Sequence, residues 1–404
     1  AGQPRSGWVS VLTVVRLRTE GPGRLVNDAS RSRIYLSPPE LGHLDRSAVL
    51  AALESGWVAP AGPDIGLFEE NLQIATSRAY AIATSSGTAA LHLGLLALGV
   101  ESGDDVVVST LTFAATAFAV NYVGANPVLV DVEDQAWTLD PEVLSNFLRT
   151  RLRENRLPAA VVTVDLFGRP CDYTAILGIC EAYGVPVLVD AAEALGAQYG
   201  DRPAGAMGAC AVLSFNGNKI ITTSGGGALV TDDPQIAGKV RKWANQSREP
   251  QPWYEHEEIG FSYRMSNILA ALGRSQLSRL PEIVERRRAI RDRYAATLET
   301  FPGITVMNDP LWGSWNGWLT TVRFDPALYP EGSNRLREAL EESNIEARPV
   351  WKPMHQQPVF QGAQRILTGV ADRIFREGLC LPSGTGMVDD DVDRVLKVLV
   401  RELA

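Results

Sequence analysis

Four short apolar runs constrain this chain more than anything else in it: DDVVVST (104–110), PVLVDVE (127–133), AAVVTVDLFG (159–168) and VPVLVDAAEALG (185–196). Each is apolar on both faces of a strand, so each predicts burial on both sides. They recur about 20–25 residues apart and helical segments separate them, which is the signature of βαβ units and a mainly parallel sheet. Those segments include GTAALHLGLLALG (87–99), TFAATAFAVNYVG (112–124), PEVLSNFLRTRLREN (141–155) and YTAILGICEAYG (173–184). The expected class is α/β, a central sheet covered by helices on both faces.

The pattern changes after about residue 240. A long polar and aromatic stretch spans 243–267, unusual for a plain connector, and a charged helix follows (LPEIVERRRAIRDRYAATLETF, 280–301). From PGITV onward the chain reads as a second, smaller α+β module closed by the amphipathic helix DVDRVLKVLVRELA (391–404). The expected division is an N-terminal extension over 1–32, a large domain over 33–285 and a small C-terminal domain over 286–404. The extension has a short apolar patch between arginines that imitates a signal peptide, but Ser10 and Thr13 interrupt it and no small-residue cleavage site follows. The arginines of 286–293 are expected to form a solvated helix face.

Composition removes several functions. A net charge of −9 argues against nucleic acid or an anionic membrane surface as a main partner. Cys171, Cys180, Cys210 and Cys380 contain no Cys-x-x-Cys pair, and His43, His92, His256 and His355 lack metal-ligand spacing, so no metal is expected. Reduced, buried thiols point to a cytoplasmic protein, and no apolar run reaches membrane-spanning length.

Ligands of open parallel sheets bind beyond the carboxyl ends of the strands, and four features fall there. In TSSGTAAL (84–91), Gly87 and Thr88 open a helix whose free amides and dipole suit a phosphate. Read alone, this is an ordinary N-cap. Asp190 closes a buried strand, with Glu193 three residues on; a carboxylate there needs a cationic or hydrogen-bonding partner. Phe113 begins a helix after a strand and could stack on a flat ring, although a lone aromatic is more often core. Finally, SFNGNKIITTSGGGALV (214–230) holds Ser214 at a strand end and Lys219, the one charged residue between 203 and 231. Alone it reads as a lysine snorkelling to water. Together the four match one ligand, pyridoxal 5′-phosphate, which needs a phosphate cradle, a stacking partner, a carboxylate for its ring nitrogen and a lysine for its aldehyde.

The ordered stretches IYLSPPELG, GWVAPAGPDIGLFE, SSGTAALHLGL, TFAATAFAVNYVGANPVLVDVE, VDAAEALGA, SFNGNKIITTSGGG, YRMSN, VWKPMHQQPVF and GLCLPSG resemble the DegT/DnrJ/EryC1/StrS sugar aminotransferases, from about residue 33 to the C-terminus. The resemblance implies a fold-type I PLP-dependent transferase. It implies Lys219 as Schiff-base lysine and proton carrier, Asp190 on the pyridine nitrogen, Glu193 near the ring hydroxyl and Phe113 stacked on the ring. Gly87, Thr88 and Ser214 would hold the phosphate, and Lys352 and His355 would face the nucleotide sugar.

It further implies a homodimer with shared active sites, the 243–267 loop crossing between subunits. Here the family's Gly-aromatic-Asn-Tyr-Arg becomes GFSYR, so Ser262 replaces an asparagine that binds the neighbouring subunit's cofactor phosphate. The shorter serine implies weaker cofactor retention. Lysine at 219, where some relatives have histidine, favours transamination over dehydration. The implied reaction moves an amino group from glutamate, leaving 2-oxoglutarate, to C4 of a nucleotide-linked 4-keto-6-deoxy sugar. The motifs look most like UDP-4-amino-sugar (bacillosamine-type) enzymes, with GDP-perosamine-type enzymes as runner-up. A carbocyclic or antibiotic aminosugar enzyme and a non-catalytic regulator that keeps the fold are the remaining alternatives.

Overall fold

A computed structural model describes residues 32–404. The extension expected over 1–32 lies, except for Ser32, outside the described residues.

Eight strands form the central sheet in the order Tyr80–Thr84, Gly227–Thr231, Cys210–Ser214, Val187–Asp190, Ala160–Val164, Asp105–Ser109, Asn126–Val130, Arg365–Ile366. Gly227–Thr231 pairs antiparallel with both of its neighbours, and every other pairing in the sheet is parallel. Side chains alternate across the sheet. Val107, Val161, Val189, Ala211 and Val230 join one core. Val106, Val108, Val162, Leu188, Val212 and Leu229 join the other. This is why the strands carry no polar face: each buried valine or leucine contributes about 1.5–3 kcal/mol, on either side.

The helices that flank the sheet begin and end where their sequences say. Asp140 caps Pro141–Arg153 by accepting from the Glu142 and Val143 amides, and Asp233 caps Pro234–Ala244 in the same way. Gly184, in the left-handed conformation at φ 67°, ends Tyr173–Tyr183. The four cysteines are free and buried.

A second, antiparallel sheet follows in the order Ile304–Val306, Thr320–Phe324, Gly378–Leu381, Arg348–Pro349. Residues 33–404 hold together as one unit, and the boundary expected at 285/286 falls inside the helix Leu280–Leu298. Ile283 of this helix packs into the large core, whereas Ile290, Tyr294 and Leu298 pack into the C-terminal one. Two further exchanges occur. Ile34 bridges Ile345 and lies in the C-terminal core, while Arg365–Ile366 adds the edge strand of the central sheet. We propose that the expected domains are two lobes knitted by these crossings.

One expectation for the shared helix fails. Arg287 is not part of a solvated face: it is 2% exposed, and its Nη1 donates to the Trp318 carbonyl at 2.6 Å. A guanidinium can be buried when backbone oxygens and hydroxyls take its protons, and the Ser37 hydroxyl accepts two more bonds from it at 3.2 Å.

Candidate active site

The chain leaves the sheet at Ser214, forms a loop, and returns as the antiparallel strand Gly227–Thr231. Phe215 N–H bonds to Gly226 O, Thr223 N–H to Phe215 O, and Lys219 N–H to Asn216 O, which fixes the loop. Lys219 is thereby turned into a cleft above the strand ends. Its Nζ lies 3.4 Å from Glu193 Oε1 and 4.2 Å from the centre of the Trp318 ring, with the side chain 11% exposed.

Asp190 faces the same cleft from the end of its strand. Its Oδ2 accepts from the Thr116 hydroxyl at 2.7 Å and its Oδ1 from the Ala192 amide at 3.1 Å. No salt bridge reaches it among the described residues. Burial pushes its carboxyl up, against the downward pull of Thr116, Ala192 and Lys219. Glu193 is pushed up by burial as well, against Lys219 and the Phe167 amide, which donates to its Oε2 at 2.6 Å. Behind them Asp165, closing the neighbouring strand, accepts from the Tyr173 hydroxyl (2.5 Å) and the Cys171 amide (3.0 Å). Burial pushes it up to about 7. The cleft thus sets two buried carboxyl groups beside one lysine, an arrangement short of positive charge.

Opposite lies the start of the helix Gly87–Ala97. Ser86 caps it by accepting from the Ala89 amide at 3.0 Å, which leaves the Gly87 and Thr88 amides without acceptors inside the helix. The helix start is pressed onto the sheet. A Cβ on Gly87 would stand 3.0 Å from Ser214 Cβ, and one on Gly227 would stand 2.4 Å from Gly87 N. Ser214 thereby comes beside the free amides. Phe113 stands at the cleft mouth, 55% exposed, edge-on to Trp351 at 5.8 Å.

Gly87, Thr88, Phe113, Asp190, Glu193, Ser214 and Lys219 therefore line one cleft of about 280 Å³. These donors fit pyridoxal phosphate: free amides and hydroxyls for an anion at one end, and an unpaired buried carboxyl for a protonated ring nitrogen at the other. A bare aromatic face and an amine stand between them.

Three other residues lie elsewhere. Lys352 lines an adjoining groove of about 780 Å³, which meets the cleft at Asn218 and Trp351. His355 is not brought into either. Its Nδ1 bonds the Thr110 hydroxyl and its Nε2 bonds Asp372, both at 2.8 Å, so both ring nitrogens are occupied in packing the C-terminal segment onto the sheet. Ser262 is exposed on the long loop, where it bridges Asn245, outside the cleft of its own chain.

The structure also adds residues that the sequence reading missed. Trp318 and Trp351 form a wall of the cleft, and Phe167 packs against both, with ring centroids 6.4 and 5.4 Å away and interplanar angles of 24° and 29°. Phe167 has φ 54°, a left-handed conformation rare for a bulky residue. Its carbonyl accepts from Trp315 Nε1 at 2.6 Å. The positive φ turns its amide toward Glu193. Nothing in the local pattern of Trp318 or Trp351 signals this role, since both lie in loops far along the chain from Asp190 and Lys219.

Comparison with known proteins decides the family. The model of the DegT/DnrJ/EryC1/StrS aminotransferase family matches residues 39–400. The chain belongs to that family. EpsN of Bacillus subtilis (strain 168), provisionally named a pyridoxal phosphate-dependent aminotransferase, is 44% identical over 91% of this chain and 95% of its own length. The GDP-perosamine synthase of Caulobacter vibrioides is 36% identical over 91% and 97%. A DegT/DnrJ/EryC1/StrS aminotransferase from Brucella abortus superposes with a TM-score of 0.83 at 27% identity, covering 89% of this chain and 95% of that one. For this DegT/DnrJ/EryC1/StrS member the fold is accordingly that of the fold-type I PLP enzymes, and pyridoxal phosphate is the cofactor.

Proposed function

We propose that the protein transfers an amino group from glutamate to C4 of a nucleotide-linked 4-keto-6-deoxy sugar, with UDP-2-acetamido-2,6-dideoxy-4-keto-hexose as the first substrate to test. The observation that carries this reading is the free amine of Lys219, held in a nearly dry cleft opposite an unpaired carboxyl and a helix N-terminus. The groove of about 780 Å³ that opens from the cleft supports it, because that volume suits the nucleotide half of such a substrate.

When bound, pyridoxal phosphate supplies an aldehyde that captures the amine and a conjugated ring that takes up the electron pair left by a departing proton. The chain supplies the rest. Gly87 and Thr88 amides, with Ser214, bind and orient the phosphate. Asp190 keeps a proton on the ring nitrogen, its carboxylate held in place by Thr116 and Ala192. Lys219 Nζ takes a proton from one carbon and returns it to another, and Glu193 holds that amine near the reacting side. Trp318 and Trp351 exclude water.

The same reading makes the enzyme a cytoplasmic homodimer. Leu44, Leu50, Leu53, Trp57 and Val58, on and just after the helix His43–Glu54, are exposed, and we assign that face to a second copy, which would also bring Ser262 to its neighbour's cofactor. Light scattering at twice the chain mass checks the assembly. Among the described residues no helix is long and apolar enough to cross a membrane.

The identity to a GDP-perosamine synthase favours a GDP-linked keto sugar as the second reading. A panel of UDP-, GDP- and dTDP-linked 4-keto sugars, each with glutamate, tests both. The expected result is 2-oxoglutarate formed with one of them, and a visible absorbance that Lys219→Ala abolishes. An unchanged spectrum in that variant sinks the assignment.

A further inference from the structure

The contact between Lys219 and Trp318 is built in. Trp318 is fully buried and fixed on three sides. Its amide donates to Asn316 Oδ1 at 3.0 Å, its carbonyl accepts from Arg287 Nη1 at 2.6 Å, and its indole Nε1 donates to the Asn218 carbonyl at 2.6 Å. Asn218 is the residue before Lys219. Its carbonyl also accepts from the Ser37 hydroxyl at 2.9 Å, and Ser37 takes both Arg287 Nη1 and Nη2. One buried guanidinium therefore ties the indole and the lysine loop to a common anchor. The indole face cannot drift from beneath the amine, which sits 4.2 Å from its centre.

We propose that Trp318 is a holding surface for the free amine of Lys219. With Glu193 Oε1 it keeps the ammonium inside the cleft whenever the lysine is not covalently engaged, and so is a further residue in contact with the reacting nitrogen. This rests on the aminotransferase reading.

The physical case is one of competing attractions. A lysine has a flexible stem and a strongly hydrated head, and Asn216 and Asn218 beside it are exposed to solvent. Unheld, the amine would turn outward. A tight ion pair in a dry site would hold it but resist its release. Glu193 stands back at 3.4 Å, one oxygen occupied by the Phe167 amide. An aromatic face attracts the charge without a directional bond, so the lysine is retained and can still leave. In the proposed reaction the amine takes up one proton and gives the same proton back, and in between it is an ammonium. That charged form is the one an indole face favours.

Two measurements on the holoenzyme test this. Glutamate alone should bleach the visible absorbance. If it does not, the aminotransferase reading fails and takes this inference with it. A crystal structure of the bleached enzyme should then show Lys219 Nζ within about 6 Å of the Trp318 ring centre. A lysine turned to solvent or onto another group overturns the inference alone.

In single-turnover experiments with glutamate, Trp318→Leu should slow the bleaching about tenfold, and Trp318→Phe by less than about threefold, at unchanged affinity for glutamate. Both variants lose the bond to Asn218, but only phenylalanine keeps a ring under the amine. Equal slowing in the two overturns the proposal. If the leucine variant does not fold, the crystallographic position of the amine still decides.

Discussion

Two aspartates close parallel strands of the same sheet and meet opposite fates. Asp131 follows Asn126–Val130 and is fully buried, yet it is surrounded by donors: the Val132, Thr368, Gly369 and Ala371 amides and the Thr368 hydroxyl. These bonds outweigh burial and hold its carboxyl below the usual range. Asp190 is 5% exposed, receives two bonds and is pushed up instead. The same residue type at the same place in the sheet is thus held as a charge where the protein solvates it and pushed towards its neutral form where it does not. Asp131 spends its charge on docking the segment 368–371. Asp190, with no such set of donors, is the carboxyl we propose for the cofactor's ring nitrogen.

The comparison breaks if the two respond alike to substitution. Asp190→Ala should lower turnover by about a thousandfold while leaving the thermal midpoint of the cofactor-free protein unchanged or higher, since an unpaired buried carboxyl is lost; a steady-state assay with a melting curve reads both. Asp131→Ala should do the reverse. Its orphaned donors should cost roughly 3 kcal/mol of stability, seen in denaturant unfolding, with turnover per folded molecule little affected.

Asp165 sides with Asp190. Raised from an unfolded value near ~3.9 to about 7, it binds its proton more tightly in the folded state. It favours folding fully below the unfolded value, and that contribution is lost as pH rises through the folded one. Between those values the slope is about 1.4 kcal/mol per pH unit. Asp165→Asn should flatten the pH dependence of the melting temperature between about pH 4 and 7 relative to the parent; an identical profile would remove Asp165 from the comparison. The smallest effect is expected at Ser262→Asn, a few-fold slower loss of cofactor on dialysis, because an amide reaches further than a serine hydroxyl towards the proposed neighbour's phosphate. Faster loss would show that the loop does not approach a neighbour's phosphate.

How much of this could be read from the sequence follows from the range of each signal. The strands were legible because burial on both faces removes every polar residue from them, as in VVV and VLV. The convergence of Gly87, Asp190, Ser214 and Lys219 on one cleft was legible because strand ends meet in any parallel sheet, however far apart they lie in the chain. His355 was misplaced because a histidine in a motif looks the same whether its nitrogens face a ligand or, as here, Thr110 and Asp372. Arg287 was misread because a charged helix face says nothing about a carbonyl arriving from residue 318. Trp318, Trp351 and the left-handed Phe167 were missed because they are far apart in the chain and meet only in the folded cleft wall.

Even one carbon on Gly227 would strike the first amide of the helix Gly87–Ala97. The strand that runs against the sheet therefore sets where that helix can start. In a mutational library Gly227 should tolerate nothing, while Phe113, 55% exposed at the cleft mouth, should accept other flat side chains. Distance from the reaction is a poor guide to which positions are free to vary.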